Sequence, residues 1–184
     1  MSNPITIREI AKHNLKDPVL IDGFPGVGLV GTIVANFLIN TLKLEQIGVI
    51  DSYKFPPISV VKDGEPHNPM RLYSGEQICN DGSCNQVVVC VSEFTPPAEI
   101  TKDLVKTLMD WAEENGCKKI ISAEGFTSGP KADGEKNVVY GVSSLNSISP
   151  EPSHGAIVLY HLYVPAYTLT PSEVQIKYID NKRY

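Results

Sequence analysis

The sequence predicts an α/β fold, a three-layer α/β/α sandwich around a mixed, largely parallel sheet, and three observations carry that expectation. Strand-like apolar runs alternate with helix-like apolar stripes along the chain. One run, Val87 to Ser92, is almost continuously β-branched, as a strand covered on both faces should be. The 184 residues, 42% hydrophobic and 20% charged, suit one compact domain spanning residues 1–184 and rule out a disordered chain.

Val19 to Phe24 reads as a short buried strand. After a glycine-rich turn, Val27 to Leu42 places apolar residues at 30, 33, 34, 37, 38 and 42, the stripe of an amphipathic helix. Gln46 to Ile50 follows as a strand. So short a β-turn-α-β return predicts two parallel neighbours joined by a right-handed crossover. Ile58 to Lys62 and Met70 to Tyr73 read as a strand pair. Val87 to Ser92 belongs in mid-sheet. Thr95-Pro96-Pro97 then supplies an N-cap and first-turn prolines for a helix with Ile100, Leu104, Val105, Leu108, Trp111 and Ala112 on one face, ended by Gly116. Lys118 to Ala123, Val138 to Ser143 and Gly155 to Val164 are three more strands. For the last element, Thr170-Pro171-Ser172-Glu173 resembles a capping box, whereas Val174 to Tyr178 alternates like a strand. Ile21-Asp22-Gly23-Phe24 has a short echo in Ala123-Glu124-Gly125-Phe126.

A net charge of −5 lacks the basic surplus that nucleic acid demands. The most apolar stretches, Gly26 to Ile39 and Gly155 to Tyr167, fall short of the roughly 18 to 20 residues of a membrane span, and Met1-Ser2-Asn3-Pro4 lacks the pattern of a signal peptide. The expectation is a cytoplasmic protein without nucleic-acid or membrane partners. Its cysteines, 79, 84, 90 and 117, contain no CxxC and are expected to be reduced, inert thiols, with Cys79 and Cys84 close enough for a hairpin disulfide or a metal as the lesser alternatives.

Gly26-Val27-Gly28-Leu29-Val30-Gly31 satisfies GxGxxG between a strand and a helix, and Asp51 ends the next strand where an acidic residue would hold a ribose. Backbone amides at a helix start favour anions. Against a dinucleotide, Asp22-Gly23-Phe24-Pro25 separates the strand from the first glycine, and Pro25 removes a donor. The preferred reading is that Gly28, Gly31 and Ala35 keep one helix face flat against the sheet. No P-loop lysine and no GxSxG elbow occur. Ser128 reads as an ordinary turn residue. His13, His67, His154 and His161 are scattered without metal-ligand spacing, and His161 reads as a core residue, so no metal or cofactor is expected. Asp22, Asp51, Glu93 and Glu124 fall at predicted strand ends and would share one sheet edge, capping loops in preference to acid–base work. Pro56, Pro57, Pro66, Pro69 and Arg71 form a stiff, basic-ended region that loses little entropy on docking a partner.

Gly23 to Gly31, Ile50-Asp51-Ser52, Pro56-Pro57, Asp63-Gly64, Arg71-Leu72-Tyr73, Ala123 to Phe126 and Val139-Tyr140-Gly141-Val142 together resemble the proteasome assembly chaperone 2 family, particularly its archaeal members. The resemblance covers roughly residues 5–144. It implies a sandwich like that of the purine nucleoside phosphorylases, self-association, and a role as chaperone or partner of proteasome core particles. Residues 145–184 depart from the pattern, and Lys182-Arg183-Tyr184 differs from the hydrophobic-Tyr-any tail of some archaeal relatives.

The function expected is therefore a non-enzymatic, homo-oligomeric chaperone or partner protein. Phe24, Pro25, Pro56, Pro57, Arg71 and Tyr73 are its candidate protein contacts, with no catalytic residue assigned. The alternative is a nucleotide-dependent ligase or nucleoside-processing enzyme, with Gly26, Val27, Gly28, Gly31 and Asp51 as the anion-binding turn.

Overall fold

A computed structural model describes residues 4–11, 14–80, 83–117, 119–125, 137–143, 156–161 and 174–179. In chain order the elements are β1 (Ile5–Glu9), β2 (Pro18–Gly23), α1 (Val30–Thr41), β3 (Glu45–Ser52), β4 (Val60–Lys62), β5 (Glu65–His67), β6 (Met70–Ser74), β7 (Ile78–Asn80), β8 (Ser83–Ser92), α2 (Ala98–Glu114), β9 (Lys119–Glu124), β10 (Asn137–Ser143), β11 (Ala156–His161) and β12 (Val174–Ile179). The open final element is thus a strand.

The main sheet runs β1-β3-β6-β8-β2-β9-β11-β10-β12, with β7 hairpinned onto β8. It is mixed rather than largely parallel. The parallel part is the centre, β8-β2-β9-β11, with β12 parallel to β10 at one edge, and the flank β1-β3-β6-β8 is antiparallel throughout. The expected neighbour relation of β2 and β3 also fails, since β6 and β8 lie between them. The run Val87 to Val91 explains it: β8 can be buried on both faces and takes the place beside β2. Its Val88 and Cys90 point into one core cluster and Val87, Val89 and Val91 into the other. The expected pairing of residues 58–62 with 70–73 is likewise replaced. Asp63 and Gly64, with φ of 55° and 84°, make a tight reversal that returns β4 onto β5 at once, and β6 is left to pair with β3 and β8.

The two helices cover opposite faces. Ile100, Leu104, Leu108, Trp111 and Ala112 of α2 pack with Leu20, Met70, Leu72, Val88 and Cys90, and the Trp111 indole donates to Glu9 Oε1 at 3.1 Å, tying α2 to the β1 edge. Gly116, at φ 75°, ends α2 as expected. Thr95 does not cap it: Pro97 is the capping residue, and the Thr95 hydroxyl donates to the Pro25 carbonyl at 3.4 Å. On the other face α1 buries Val30, Gly31, Ala35 and Ile39. Ile33 and Phe37, expected in its inward stripe, are exposed, because the small side chains at 31 and 35 let that edge of the helix approach the sheet and rotate 33 and 37 outward.

Cys79 and Cys84 face each other across the β7–β8 hairpin and are disulfide-bonded, which corrects the expectation of reduced thiols at these two positions. Direct opposition in the register brings them within bonding reach. Cys90 and Cys117 are free, and burial raises both thiols above their usual range, Cys117 to about 11.

Candidate functional site

The carboxyl ends of the parallel strands β2, β8 and β9 share one edge of the sheet, and the GxGxxG segment follows β2 there. At Gly31 the segment is a packing joint, whereas Gly28, expected on the flat helix face, lies before the helix and stands exposed. A Cβ placed on Gly31 would lie 2.5 Å from the Phe24 carbonyl oxygen and 2.9 Å from that of Ala123. A Cβ on Gly23 would lie 2.2 Å from the Ala35 methyl, and one on Gly125 1.9 Å from the Val27 oxygen. The two echoing segments therefore sit side by side, on adjacent strands, and their turns interlock through missing side chains.

The same geometry is unfavourable to a phosphate. Glu124 Oε2 occupies the space beside Gly26, 2.8 Å from where a Cβ would be, and the two groups nearest Gly31 are carbonyl oxygens, with the Phe24 nitrogen beyond them. The Leu29 amide is already bonded to the Gly26 carbonyl at 3.0 Å. Gly28 and Leu29 both adopt left-handed backbone, so the helix starts only at Val30. Asp51 is on the carboxyl end of β3, three strand positions from β2, roughly 14 Å across the sheet, and its Oδ1 accepts the Ser52 amide at 2.8 Å. The turn and the ribose-type acid are not brought together.

The four strand-end acids reach one edge but divide by partner. Asp22 accepts a 2.5 Å hydrogen bond from the Ser122 hydroxyl. Glu93 ion-pairs with Arg71 Nη2 at 2.5 Å. Glu124 lies near enough to Asp22 to disfavour its charge, and the backbone register sets His161 opposite Glu124. Burial pushes the Asp22 carboxyl up to about 6; the Ser122 hydrogen bond works against this and the Glu124 charge adds to it. The folded chain consequently binds this proton more tightly than the unfolded chain does. Stability is expected to be greatest below about pH 4 as far as this group is concerned, and to fall by up to about 3 kcal/mol as pH rises through 6. Urea unfolding across that range should show the slope in the native chain and a flattened one in Asp22→Asn.

Phe24, Pro25 and Arg71 lie at the same end of the sheet and Pro56 and Pro57 in the segment after β3, whereas Tyr73 lies further along β6, opposite Val89 and Gln46. Pro57 is exposed, Phe24, Pro25, Pro56 and Tyr73 are half-buried, and Arg71 is buried. Phe24 packs against the α2-side core and Tyr73 against the α1-side core, with the Arg71 guanidinium 6.0 Å from the Tyr73 ring centre. Arg71 also donates to the Asn68 carbonyl at 2.6 Å, so its charge is committed within the chain. Large apolar side chains stand open elsewhere: Val27, Leu29, Ile33 and Phe37 around α1, and Tyr53, Ile58 and Val61 around the β4–β5 ribbon. The signal that would have found the first group is a run of twenty residues, Gly23 to Leu42, without one charged side chain. Among the described residues no cluster of three metal-ligating side chains occurs, and no helix is long and apolar enough to cross a membrane. Ser128, His13 and His154 lie outside the described residues.

A mixed sheet between two helices, with a glycine turn closed by its neighbour's backbone, defines an α/β sandwich protein in which the Rossmann-like motif is structural. The chain belongs to the PAC2 family, whose profile matches residues 20–162. Among solved structures it is similar to Pyrococcus furiosus PbaA, described as an archaeal homolog of proteasome-assembly chaperone, at 29% identity and a TM-score of 0.63 over 76% of this chain and 53% of that one. It also shares the fold of P. furiosus PbaB, described as an archaeal proteasome activator, at 23% identity and a TM-score of 0.62 over 77% and 59% of the two chains. An uncharacterised protein of Methanocaldococcus jannaschii is 34% identical over 68 residues, which is 37% of this chain and 29% of that protein. The chain thus spans under a third of the curated relatives it matches, and between 53% and 75% of the PbaA chains.

Proposed function

We propose that this chain is a non-enzymatic, self-associating chaperone or partner protein of the cytoplasm that engages proteasome core-particle subunits. The observation that carries the reading is the filled glycine turn. An enzyme of the nucleotide-binding kind needs free donors at Gly26 to Gly31, and there the chain presents the Glu124 carboxylate and two carbonyl oxygens. What remains on the surface suits protein contact. The β4–β5 ribbon pairs with no other strand among the described residues and carries exposed Val61, and the segment leading into it holds Pro56, Pro57 and the exposed Tyr53 and Ile58. A two-stranded ribbon alone is marginal in water, so a partner laid against it would complete its packing. Membership of the family and the descriptions attached to PbaA and PbaB supply the partner class.

Purified core-particle subunits and assembled core particles mixed with this protein at micromolar concentration are expected to co-elute with it on gel filtration. Tyr53→Ser with Val61→Ser should weaken that binding at least about 10-fold while leaving the melting curve in place. Absence of co-elution with either form at tens of micromolar would defeat the reading.

A further inference from the structure

We propose that the outer face of α1 is the surface through which two copies of this chain associate. This deepens the self-association included in the reading above and rests on it.

The helix α1 is apolar on both sides. Its inner edge is Gly31, Ala35 and Ile39 against the sheet, its outer edge carries Ile33 and Phe37, one turn apart, at 59% and 63% exposure, and Leu29 at the cap and Val27 before it are open at 55% and 53%. Ile33 and Phe37 stand at i and i+4 on the helix, a step of the ridge that interdigitates with the same ridge of a second helix, and Leu29 is exposed at the cap before them. The flanking polar residues are Asn36 and Asn40, both neutral. Leu29 is held in left-handed backbone, which is strained for a non-glycine residue, and it still leaves its side chain in the open. An apolar side chain kept there under that strain is better accounted for by a contact than by solvent.

The second helix of the same chain is the internal comparison. The outward positions of α2 carry Lys102, Asp103, Lys106, Asp110, Glu113 and Glu114, so that its two exposed apolar residues, Val105 and Met109, stand among charges, as on a surface a helix turns to water. The outward positions of α1 contain no charge, within a run of twenty uncharged residues in a chain that is 20% charged. That composition selects a second copy as the occupant. A two-fold contact sets a patch against itself, so each charge near the axis would meet its own like, and a neutral apolar patch is complementary to itself without any correction.

The area fits as well. Four side chains about half open offer on the order of 100 Å² each. Two copies therefore bring about 800 Å² of apolar centre, and the asparagine rim carries the contact past the roughly 1,000 Å² of a specific interface. Ile33, in the middle of the patch, would lie nearest its own copy.

The test uses the full chain. Sedimentation velocity from about 1 to 100 µM should show an oligomer in the native protein, and Ile33→Glu or Phe37→Glu should raise its dissociation constant at least about 100-fold. Both substitutions are at exposed positions, and circular dichroism melting checks that they fold. Mild oxidation of Ile33→Cys should yield a covalent dimer, whereas Lys106→Cys on α2 should not. An oligomer that is indifferent to both glutamates, with no cross-link at position 33, overturns the α1 assignment and leaves self-association standing. A strictly monomeric native protein overturns both. A monomeric Ile33→Cys variant whose introduced thiol resists a thiol reagent would show the face covered by the chain itself, and it too overturns the proposal. Core-particle binding is not read in any arm, so the two readings fail separately.

Discussion

Gly31→Val is expected to lower the melting temperature by about 10 °C, the largest effect of any single substitution considered for this chain. The argument is steric. Even the first carbon of a side chain at position 31 meets two backbone oxygens, Phe24 at 2.5 Å and Ala123 at 2.9 Å, and neither can rotate aside as a side chain would. Either α1 lifts from β2 and β9 or both turns shift. Overpacking of this kind costs about 1 to 3 kcal/mol, and the branched valine against fixed backbone belongs at the upper end. At this chain length, about 3 kcal/mol corresponds to roughly 6 to 12 °C. Titration calorimetry of the native protein with NAD or ATP completes the test, since the packing account expects no binding tighter than about millimolar. A variant that keeps its melting temperature and loses a measurable nucleotide affinity would move the segment back to ligand binding.

Glu93→Ala should destabilise the fold by about 2 to 3 kcal/mol, read as a lower urea midpoint with unchanged slope. Arg71 is 5% exposed, and its guanidinium is held by Glu93 and the Asn68 carbonyl while its Nε has no hydrogen-bond partner. Removing the carboxylate leaves a buried cation with half its support, the costly way to break an ion pair. Glu93 keeps a quarter of its side chain in solvent, which sets the estimate below that for a fully buried pair. Arg71→Met removes the cation itself and should cost less. Arg71→Met with Glu93→Gln should cost less than the sum of its parts, the mark of a direct interaction. Additive costs would mean that the two side chains act separately.

Local pattern made much of this molecule legible. The runs expected at 19–24, 87–92 and 118–123 are strong periodic signals and form β2, β8 and β9, and the stripe of α2 is buried as expected except for Val105, which turns outward beside Leu104 and is exposed. What sequence could not carry was adjacency. That β3 is remote from β2, and β4 from β6, depends on which strand can be buried on both faces and on a two-residue reversal at Asp63 and Gly64. These are competitions between distant segments, not properties of either one. Gly31 and Ala35 were readable as small residues for close packing. Their further effect, turning Ile33 and Phe37 outward, follows from how tightly the helix seats, and a periodicity that accepts every apolar residue as inward cannot register it. The candidate contacts show the same limit: Arg71 and Tyr73 have an interface composition, yet Arg71 is buried by a partner, Glu93, twenty-two positions away.

The strand order also sets a timetable for synthesis. β2 has no neighbour in the sheet until β8 is made, and its other neighbour, β9, ends about a hundred residues after it. At the usual 5 to 20 residues per second, β2 and the uncharged helix behind it wait several seconds or more beside the ribosome with nothing to lie on. Neither side of that helix is protected by charge in the meantime, since the twenty residues from Gly23 to Leu42 carry none. The nascent chain is therefore most vulnerable to sticking early, before its own centre exists. Slow translation between residues 42 and 92 should lower the yield of folded protein more than the same slowing after residue 124.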